Sequence, residues 1–426
     1  MHFKSFLDEF IARGYMHQCT NLKLLETLIE NNKKIVAYIG FDATAKSLHI
    51  GNLMQIMVLR LLQKYGHKPI VLIGAGTTKI GDPTGKDKMR KMLSDEQIEE
   101  NMKGIKKALS KFINFASDNN FIENNSDAVI LNNDIWLSQL KYIEFLRDFG
   151  SQISVNELLK RDAIKNRLEQ NQSLSLLEMN YMVCQGFDFY YLNKNYNCIL
   201  QIGGSDQWSN IITGVDLIKD KAIGLTTSLL IAANGEKMGK TVNGAVWLDE
   251  DMLNPFEYFQ YWRNIHDADI LKIANLYAEL DTIKTEELKE LIATNINKAK
   301  EALAFELTKL CHGIDKATEA LETAKNIFNN NALNSSNNLA SLMRFYISND
   351  KINNQIMLTD ILVEFEICKS KGAAKDLIIS NAILINDEKV SDIKRILSII
   401  DFIKDDDLTY FKLSVGKKKH YLICIK

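Results

Sequence analysis

The chain has 426 residues, 46% hydrophobic and 25% charged, an ordinary composition for a folded globular protein. Lys+Arg 52 against Asp+Glu 54 gives −2, which excludes a strongly basic whole-chain nucleic-acid binder but not a local basic patch. Three prolines exclude a proline-rich linker protein, and no run of ~18 uncharged apolar residues marks a membrane span. The six cysteines, Cys19, Cys184, Cys198, Cys311, Cys368 and Cys424, show no CxxC spacing. They read as reduced, mostly buried thiols, not as a zinc cage or disulfide framework, and no metal ligand set is expected. Met1 to Tyr15 carries Asp8 and Glu9 and resembles no targeting leader, so a cytoplasmic location is expected.

In chain order, residues 1–33 read as helical. Ile35 to Phe41 reads as a strand running into a turn at Gly40-Phe41-Asp42. Ser47 to Gln63 has apolar residues at helical spacing, and Pro69 to Gly74 is a continuous apolar run suited to a strand buried on both faces. Strand, helix and strand in this order predict a crossover unit of a parallel α/β sheet. Cys198 to Ile202 predicts another strand, followed by a helix from about Asp206 to Lys219. Residues 1–247 are therefore expected to form a Rossmann-like α/β domain. Residues 248–328 predict an α-helical domain. Asn329 to Asn338 is a polar run that buries nothing, so 329–350 is expected to be a linker. Residues 351–426 predict a small α+β module, with helices near 359–366 and 371–380 and short strands from Ala382 to Val390.

Two glycine-rich stretches fail the phosphate-loop templates. GDPTGK at 81–86 has too few residues between its glycines, and Lys79 stands where GxGxxG would need its third glycine. The informative stretch is YIGFDATAKSLHIGN, 38–52. A strand here delivers Tyr38, Gly40 and Asp42 to its carboxyl end, where α/β sheets bind ligands. His49 and Asn52 open the next helix and can donate to phosphate oxygens, and Gly51 leaves room for a flat ring or ribose against the backbone. KMGKT at 237–241 sets Lys237, Lys240 and Thr241 around a glycine, a loop able to fold over a triphosphate.

Together with IGDPTGK (80–86), YMVCQGFDF (181–189) and QIGGSDQW (201–208), HIG and KMGKT make the chain resemble class I aminoacyl-tRNA synthetases. The likeness is to the bacterial-type tyrosyl family and covers nearly the whole length. It implies an ATP-dependent ligase that forms tyrosyl-adenylate, releases pyrophosphate and passes tyrosine to the terminal ribose of tRNA(Tyr). It also implies a homodimer joined through the insertion between the two halves of the catalytic fold, and Mg²⁺ accompanying ATP. By match to the family, Tyr38 and Asp188 hydrogen-bond the substrate phenol. Asp82, Tyr181 and Gln185 hold its ammonium, and Gln207 lies near its carboxylate. Tyr181, Gln185 and Asp188 are spaced to share one helix face. Gly204 and Asp206 match the ribose site. Thr44 and His49 match the pair on the γ-phosphate, and Lys86, Arg90, Lys237, Lys240 and Thr241 match groups that close over pyrophosphate.

Three positions depart from the family pattern. Asn52 stands where many members have histidine, and Gly239 and Thr241 stand where the class-wide form has serines; Gly239 is expected to loosen its loop. Gln55 carries no assigned role. The C-terminal module resembles a small RNA-binding module shared with a ribosomal small-subunit protein. Residues 351–426 hold 13 Lys/Arg against 11 Asp/Glu, a net +2. The usable charge there is Lys369, Lys371, Lys375 and the run Lys417-Lys418-Lys419. Two other readings compete: the tryptophanyl relative, which Tyr38 and Asp188 argue against, and a non-catalytic RNA-binding scaffold, which intact His49, Lys237, Lys240, Asp82 and Asp188 argue against.

Overall fold

The computed structural model describes residues 3–82, 93–123, 125–233, 235, 238–241, 244–280, 282–328, 342–405, 408–416 and 419–425. They form two compact units, one of Met1–Leu253 with Tyr258–Ile314, the other of Asn254–Glu257 with Asp315–Lys426.

The first unit is built on six strands: β1 (Met16–Cys19), β2 (Val36–Asp42), β3 (Lys68–Gly74), β4 (Val129–Asn132), β5 (Leu200–Gly204) and β6 (Ile223–Thr227). Their order is β1-β6-β5-β2-β3-β4, parallel throughout except for β1, which pairs antiparallel with β6 at the edge. Residues 1–33 are thus not all helical: β1 separates helices Phe6–Ala12 and Leu22–Glu30. Its four residues leave no room for helical periodicity, and its pairing with β6 overrides local propensity. β3 is buried at every position, as expected of a strand covered on both faces. One side of β2, β3 and β4 packs Val36, Tyr38, Ile70, Leu72 and Val129 against Phe187, Phe189 and Leu192 of the helix Leu176–Tyr196.

The chain reverses its winding between β2 and β5. Those two strands pair only at Ala37↔Leu200 and Tyr38↔Gln201, whereas β2 and β3 remain paired to Asp42↔Gly74. The sheet therefore splits beyond Tyr38 and Gln201, opening the crevice in which such folds bind ligands.

The helices after Trp247 join this unit up to Ile314, so 247/248 is not a compact-unit boundary. Arg60 holds Glu279 through Nε–Oε1 2.6 Å and Nη2–Oε2 2.8 Å, Arg13 donates to the carbonyls of Asn275 and Ala278, and the Tyr15 hydroxyl donates to that of Leu276. The second unit carries a sheet ordered 388–389, 383–385, 408–415, 419–425, 343–347, with helices Leu358–Glu364 and Lys371–Ile379 covering it. Strand Met343–Ile347 pairs parallel with Lys419–Ile425, so the module begins inside the range expected for the linker. Residues 329–341 lie outside the described residues. RFYI alternates like an edge strand, but its partner lies far ahead in sequence, which composition does not reveal.

Glu9 is buried and accepts from Arg13 (2.8 Å), Lys64 (2.6 Å) and Tyr65 (2.7 Å). Burial alone would raise its pKa; the hydrogen bonds from Lys64, Tyr65 and Arg13 outweigh it and hold the carboxyl below the usual range. Its stabilisation is therefore present above the unfolded-state pKa and lost as pH falls through the folded one. Replacing Glu9 by Gln should lower the urea midpoint by the equivalent of about 1–3 kcal/mol at pH 7. The gap to the parent protein should shrink in urea titrations below about pH 4.

Candidate active site

The crevice is a cavity of about 570 Å³ whose walls come from the ends of β2 and β5, the start of the helix Leu53–Lys64, the helix Leu176–Tyr196 and the 238–239 turn. Tyr38, Gly40, Asp42, Thr44, His49, Gly51, Asn52, Asp82, Tyr181, Gln185, Asp188, Gly204, Asp206 and Gln207 all line it. Residues singled out far apart in sequence thus meet around one space. Gly40 is the exposed position of an otherwise buried run in β2, so its missing side chain leaves open crevice.

At the closed end lie two buried polar groups. Tyr38 is 1% exposed, and its hydroxyl has no hydrogen-bond partner among the described residues. Asp188 is 2% exposed; its Oδ1 accepts from Trp136 Nε1 at 2.7 Å and its Oδ2 from Asn133 Nδ2 at 2.9 Å. Burial raises the Asp188 pKa to about 7, against the lowering effect of those two donors and with a further upward push from Asp42. Burial likewise holds the Tyr38 phenol well above its ordinary value, so it stays a neutral donor. A carboxylate with acceptor capacity left and a hydroxyl with no partner suit a ligand hydroxyl that donates to one and accepts from the other.

Polar side chains line the middle of the cavity and fix one another. The capping box of Ser175 and Glu178 starts the helix that presents Tyr181, Gln185 and Asp188. Tyr181 donates to Asp42 Oδ2 at 3.1 Å, and Thr77 donates to Asp42 Oδ1 at 2.9 Å. Gln207 donates to Asp82 Oδ2 at 2.9 Å, while Asn210 Nδ2 donates to both Gln185 Oε1 and Gln207 Oε1 at 3.0 Å. Asp82 and Asp42 bring carboxylates to the mouth of the closed end, complementary to an ammonium group.

At the open end His49 caps the short turn Ile50–Asn52. Its Nδ1 accepts from Gly51 N at 2.9 Å, and Asn52 Oδ1 accepts from His49 N at 3.2 Å. With Nδ1 accepting, the neutral ring carries its proton on Nε2, the donor tautomer. Asn52 turns its amide oxygen to the backbone, leaving its NH₂ as the end suited to an anion. The space beside Gly51 is already used: a Cβ there would fall 2.6 Å from His49 Cε1, and one on Gly239 would fall 3.1 Å from Gly51 Cα. Gly51 thus admits the histidine ring and the second motif on its Cβ side, while it stays exposed and lines the cavity. Gly239 has φ +116°, which disfavours any other residue, and the close approach to Gly51 leaves no room for a side chain there.

Lys86, Arg90 and Lys237 lie outside the described residues, as do Lys417 and Lys418. Lys240–Thr241 is described as a strand paired with Gly244–Ala245, and Lys419 as the first residue of a strand. In the second unit Lys371 and Lys375 are exposed one turn apart, Lys371 pairing with Asp360 at 2.7 Å.

The sequence reading missed Trp136, Asn133, Thr77, Gln201, Asn210 and Trp247. Asn133 directly follows β4 on the ligand edge of the sheet, a position the strand pattern could have flagged. Asn210 lies three residues after Gln207 on the same helical face. Gln201 lines the cavity opposite Tyr38, and its buried side-chain oxygen has no partner among the described residues. Trp247 meets the His49 ring edge-on at 5.9 Å, a contact that only the fold creates.

The family described as "tRNA synthetases class I (W and Y)" matches residues 30–329, and the "Tyrosine--tRNA ligase SYY-like C-terminal domain" matches 346–423. The chain is 49% identical over 423 residues to the tyrosine--tRNA ligase of Rickettsia prowazekii, covering 98% of this chain and 99% of that protein. It is 50% identical over 424 residues to that of Orientia tsutsugamushi, covering 99% of each. A C-terminally truncated mitochondrial tyrosyl-tRNA synthetase of Aspergillus nidulans superposes with TM-score 0.66 at 28% identity, over 76% of this chain and 94% of that one. The likeness spans both units and all the cavity residues, and the chain belongs to the tyrosine--tRNA ligase family of class I tRNA synthetases.

Proposed function

We propose that the chain activates tyrosine with ATP and transfers it to tRNA(Tyr). The observation that carries the substrate is the buried pair at the closed end, an unpartnered Tyr38 hydroxyl beside an Asp188 held by Trp136 and Asn133. A phenol satisfies both groups, whereas phenylalanine leaves the Tyr38 hydroxyl buried without a partner and sets an apolar ring edge against Asp188, a penalty of about 1–3 kcal/mol for the orphaned group.

The tyrosine ammonium would sit against Asp82, Tyr181 and Gln185, with Gln207 toward the carboxylate. The carboxylate oxygen then attacks the α-phosphorus of ATP, the bond to pyrophosphate breaks, and tyrosyl-adenylate remains. Gly204 and Asp206 would take the ribose; the carboxylate lies 2.7 Å from where a Gly204 Cβ would stand, so glycine lets it turn toward the crevice. His49, Asn52 and Thr44 would donate to the phosphates, with Lys86, Arg90, Lys237, Lys240 and Thr241 gathering the leaving pyrophosphate. Mg²⁺ would arrive on the ATP phosphates and neutralise their charge. A ribose hydroxyl of tRNA then attacks the tyrosyl carbonyl, releasing AMP. No enzyme nucleophile is needed, because positioning and charge stabilisation carry the rate.

The same reading gives tRNA to the helical region 248–328 and to the C-terminal module, with Lys371 and Lys375 on an exposed helix face and Lys417–Lys419 as phosphate contacts. It implies work in the cytoplasm, where tRNA is charged. It also implies a homodimer joined through the insertion between β4 and β5, where Ile135, Tyr142, Ile143, Val155 and Leu176 are each exposed.

Three outcomes follow. Tyr38→Phe should lower kcat/KM for tyrosine about tenfold to a hundredfold in ATP–pyrophosphate exchange and raise relative use of phenylalanine; unchanged discrimination would refute the phenol assignment. The ionised Asp188 accepts from the phenol more strongly than the protonated form, so kcat/KM for tyrosine should fall as pH drops through about 7. That limb should be absent in Asp188→Asn. Ile143→Asp should convert a sedimenting dimer to monomer; a monomer in the parent protein would remove the dimer.

A further inference from the structure

The helix Asp95–Leu109 touches none of the cavity, yet it holds the loop that carries Thr44. Asn101, only 6% exposed, donates from Nδ2 to the carbonyl of Ala43 at 2.8 Å. The other backbone group of Ala43, its N–H, donates to Thr78 Oγ1 at 2.8 Å. Ala43 is therefore tied on both sides, immediately before Thr44, which is itself exposed to the cavity. One turn further along, Gly104 meets the same loop on its far side: a Cβ there would stand 1.7 Å from the Lys46 carbonyl oxygen and 2.8 Å from its carbon. Backbone cannot yield as a side-chain tip can, so only glycine lets helix and loop approach this closely.

The helix is in turn anchored at its other end. Lys107 donates to Asp249 Oδ1 at 3.0 Å and Asp251 Oδ2 at 2.7 Å, and Lys111 donates to the Leu248 carbonyl at 2.6 Å. Leu248 N donates to the Leu48 carbonyl and Ile50 N to that of Val246, both at 2.9 Å. The brace thus returns to the segment that contains His49. Asn101, Gly104 and Lys107 follow one another at three-residue steps, so they share a helix face, and Lys111 follows just past the helix end.

We infer that Asn101 and Gly104 are positioning residues for tyrosine activation, acting through Thr44 by fixing the loop 43–46 at the phosphate end of the site. The inference rests on the proposed role of Thr44. Displacement of a phosphate donor by about 1 Å costs on the order of a hundredfold in rate.

The test measures single-turnover activation at saturating ATP, KM for tyrosine, and transfer from preformed tyrosyl-adenylate. It uses Thr44→Ala, Asn101→Asp, Gly104→Ala and the double variant Asn101→Asp with Thr44→Ala. Asp keeps the shape of Asn but sets a carboxylate oxygen against the Ala43 carbonyl. Asn101→Asp and Gly104→Ala should each slow activation about tenfold to a hundredfold, with KM for tyrosine within about twofold and transfer unchanged. The double variant should be no more than about twofold slower than Thr44→Ala, because the group being positioned is already gone. Multiplying effects in the double variant would overturn the inference, as would KM for tyrosine and transfer worsening in parallel. A slow Thr44→Ala beside a wild-type Asn101→Asp would overturn it while leaving the role of Thr44 intact. A wild-type Thr44→Ala would remove both. Should Gly104→Ala fail to fold, Asn101→Asp alone decides.

Discussion

The parting of β2 from β5 is the constraint on which the site depends. Two paired positions, Ala37↔Leu200 and Tyr38↔Gln201, hold the strands together, and beyond them the pairing of β2 with β5 ends among the described residues. Everything polar in the cavity follows from that split. Tyr38 and Gln201 sit at its apex, buried by the last of the sheet yet facing the space where a partner strand would otherwise run. The outer pairs, β2 with β3 and β5 with β6, stay in register to their ends, so each wall is stiff and the opening does not collapse.

A split sheet leaves polar groups that must be satisfied by side chains or ligand. The structure does this with a few shared donors. Asn210 serves both Gln185 and Gln207, and Gln207 in turn serves Asp82. Asp188 takes one donor on each oxygen, enough to orient it and too little to offset its burial, which is why its pKa stays near 7. Two donors fix the carboxylate while leaving each oxygen a lone pair for the substrate. A carboxylate buried more completely among donors would have nothing left to accept with.

Much of this was legible in the sequence. Tyr38, Gly40 and Asp42 could be placed at a strand's carboxyl end because the apolar run before them fits a buried parallel strand. Tyr181, Gln185 and Asp188 could be placed on one helix face by spacing alone. The residues that hold them could not. Trp136 and Asn133 reach Asp188 from an element 52 and 55 residues away, and nothing local distinguishes them from core and loop residues. The unit boundaries failed for the same reason. Helices after Trp247 read as a separate domain by composition, but Arg60 and Glu279, 219 residues apart, join them to the sheet unit. Strand Met343–Ile347 looked like linker because its partner, Lys419–Ile425, lies at the other end of the module. Long-range pairing is invisible to periodicity, whereas motif chemistry is not.

The second signature shows how a departure from a family pattern gains its meaning only in three dimensions. A glycine between the two lysines, read along the chain, signals freedom. In the fold it signals confinement. Gly239 takes a left-handed φ of +116°, and its Cα hydrogens face Gly51, with a Cβ position only 3.1 Å from the Gly51 backbone. The two motifs therefore touch backbone to backbone through paired glycines, with the His49 ring folded into the space Gly51 leaves. A serine at 239 would require either a different φ or a wider separation of the motifs. In this chain the approach of KMGKT to HIGN is thus set by two absent side chains, and the donor geometry of His49 is set with it, since its Nδ1 is held by the N–H of the same Gly51.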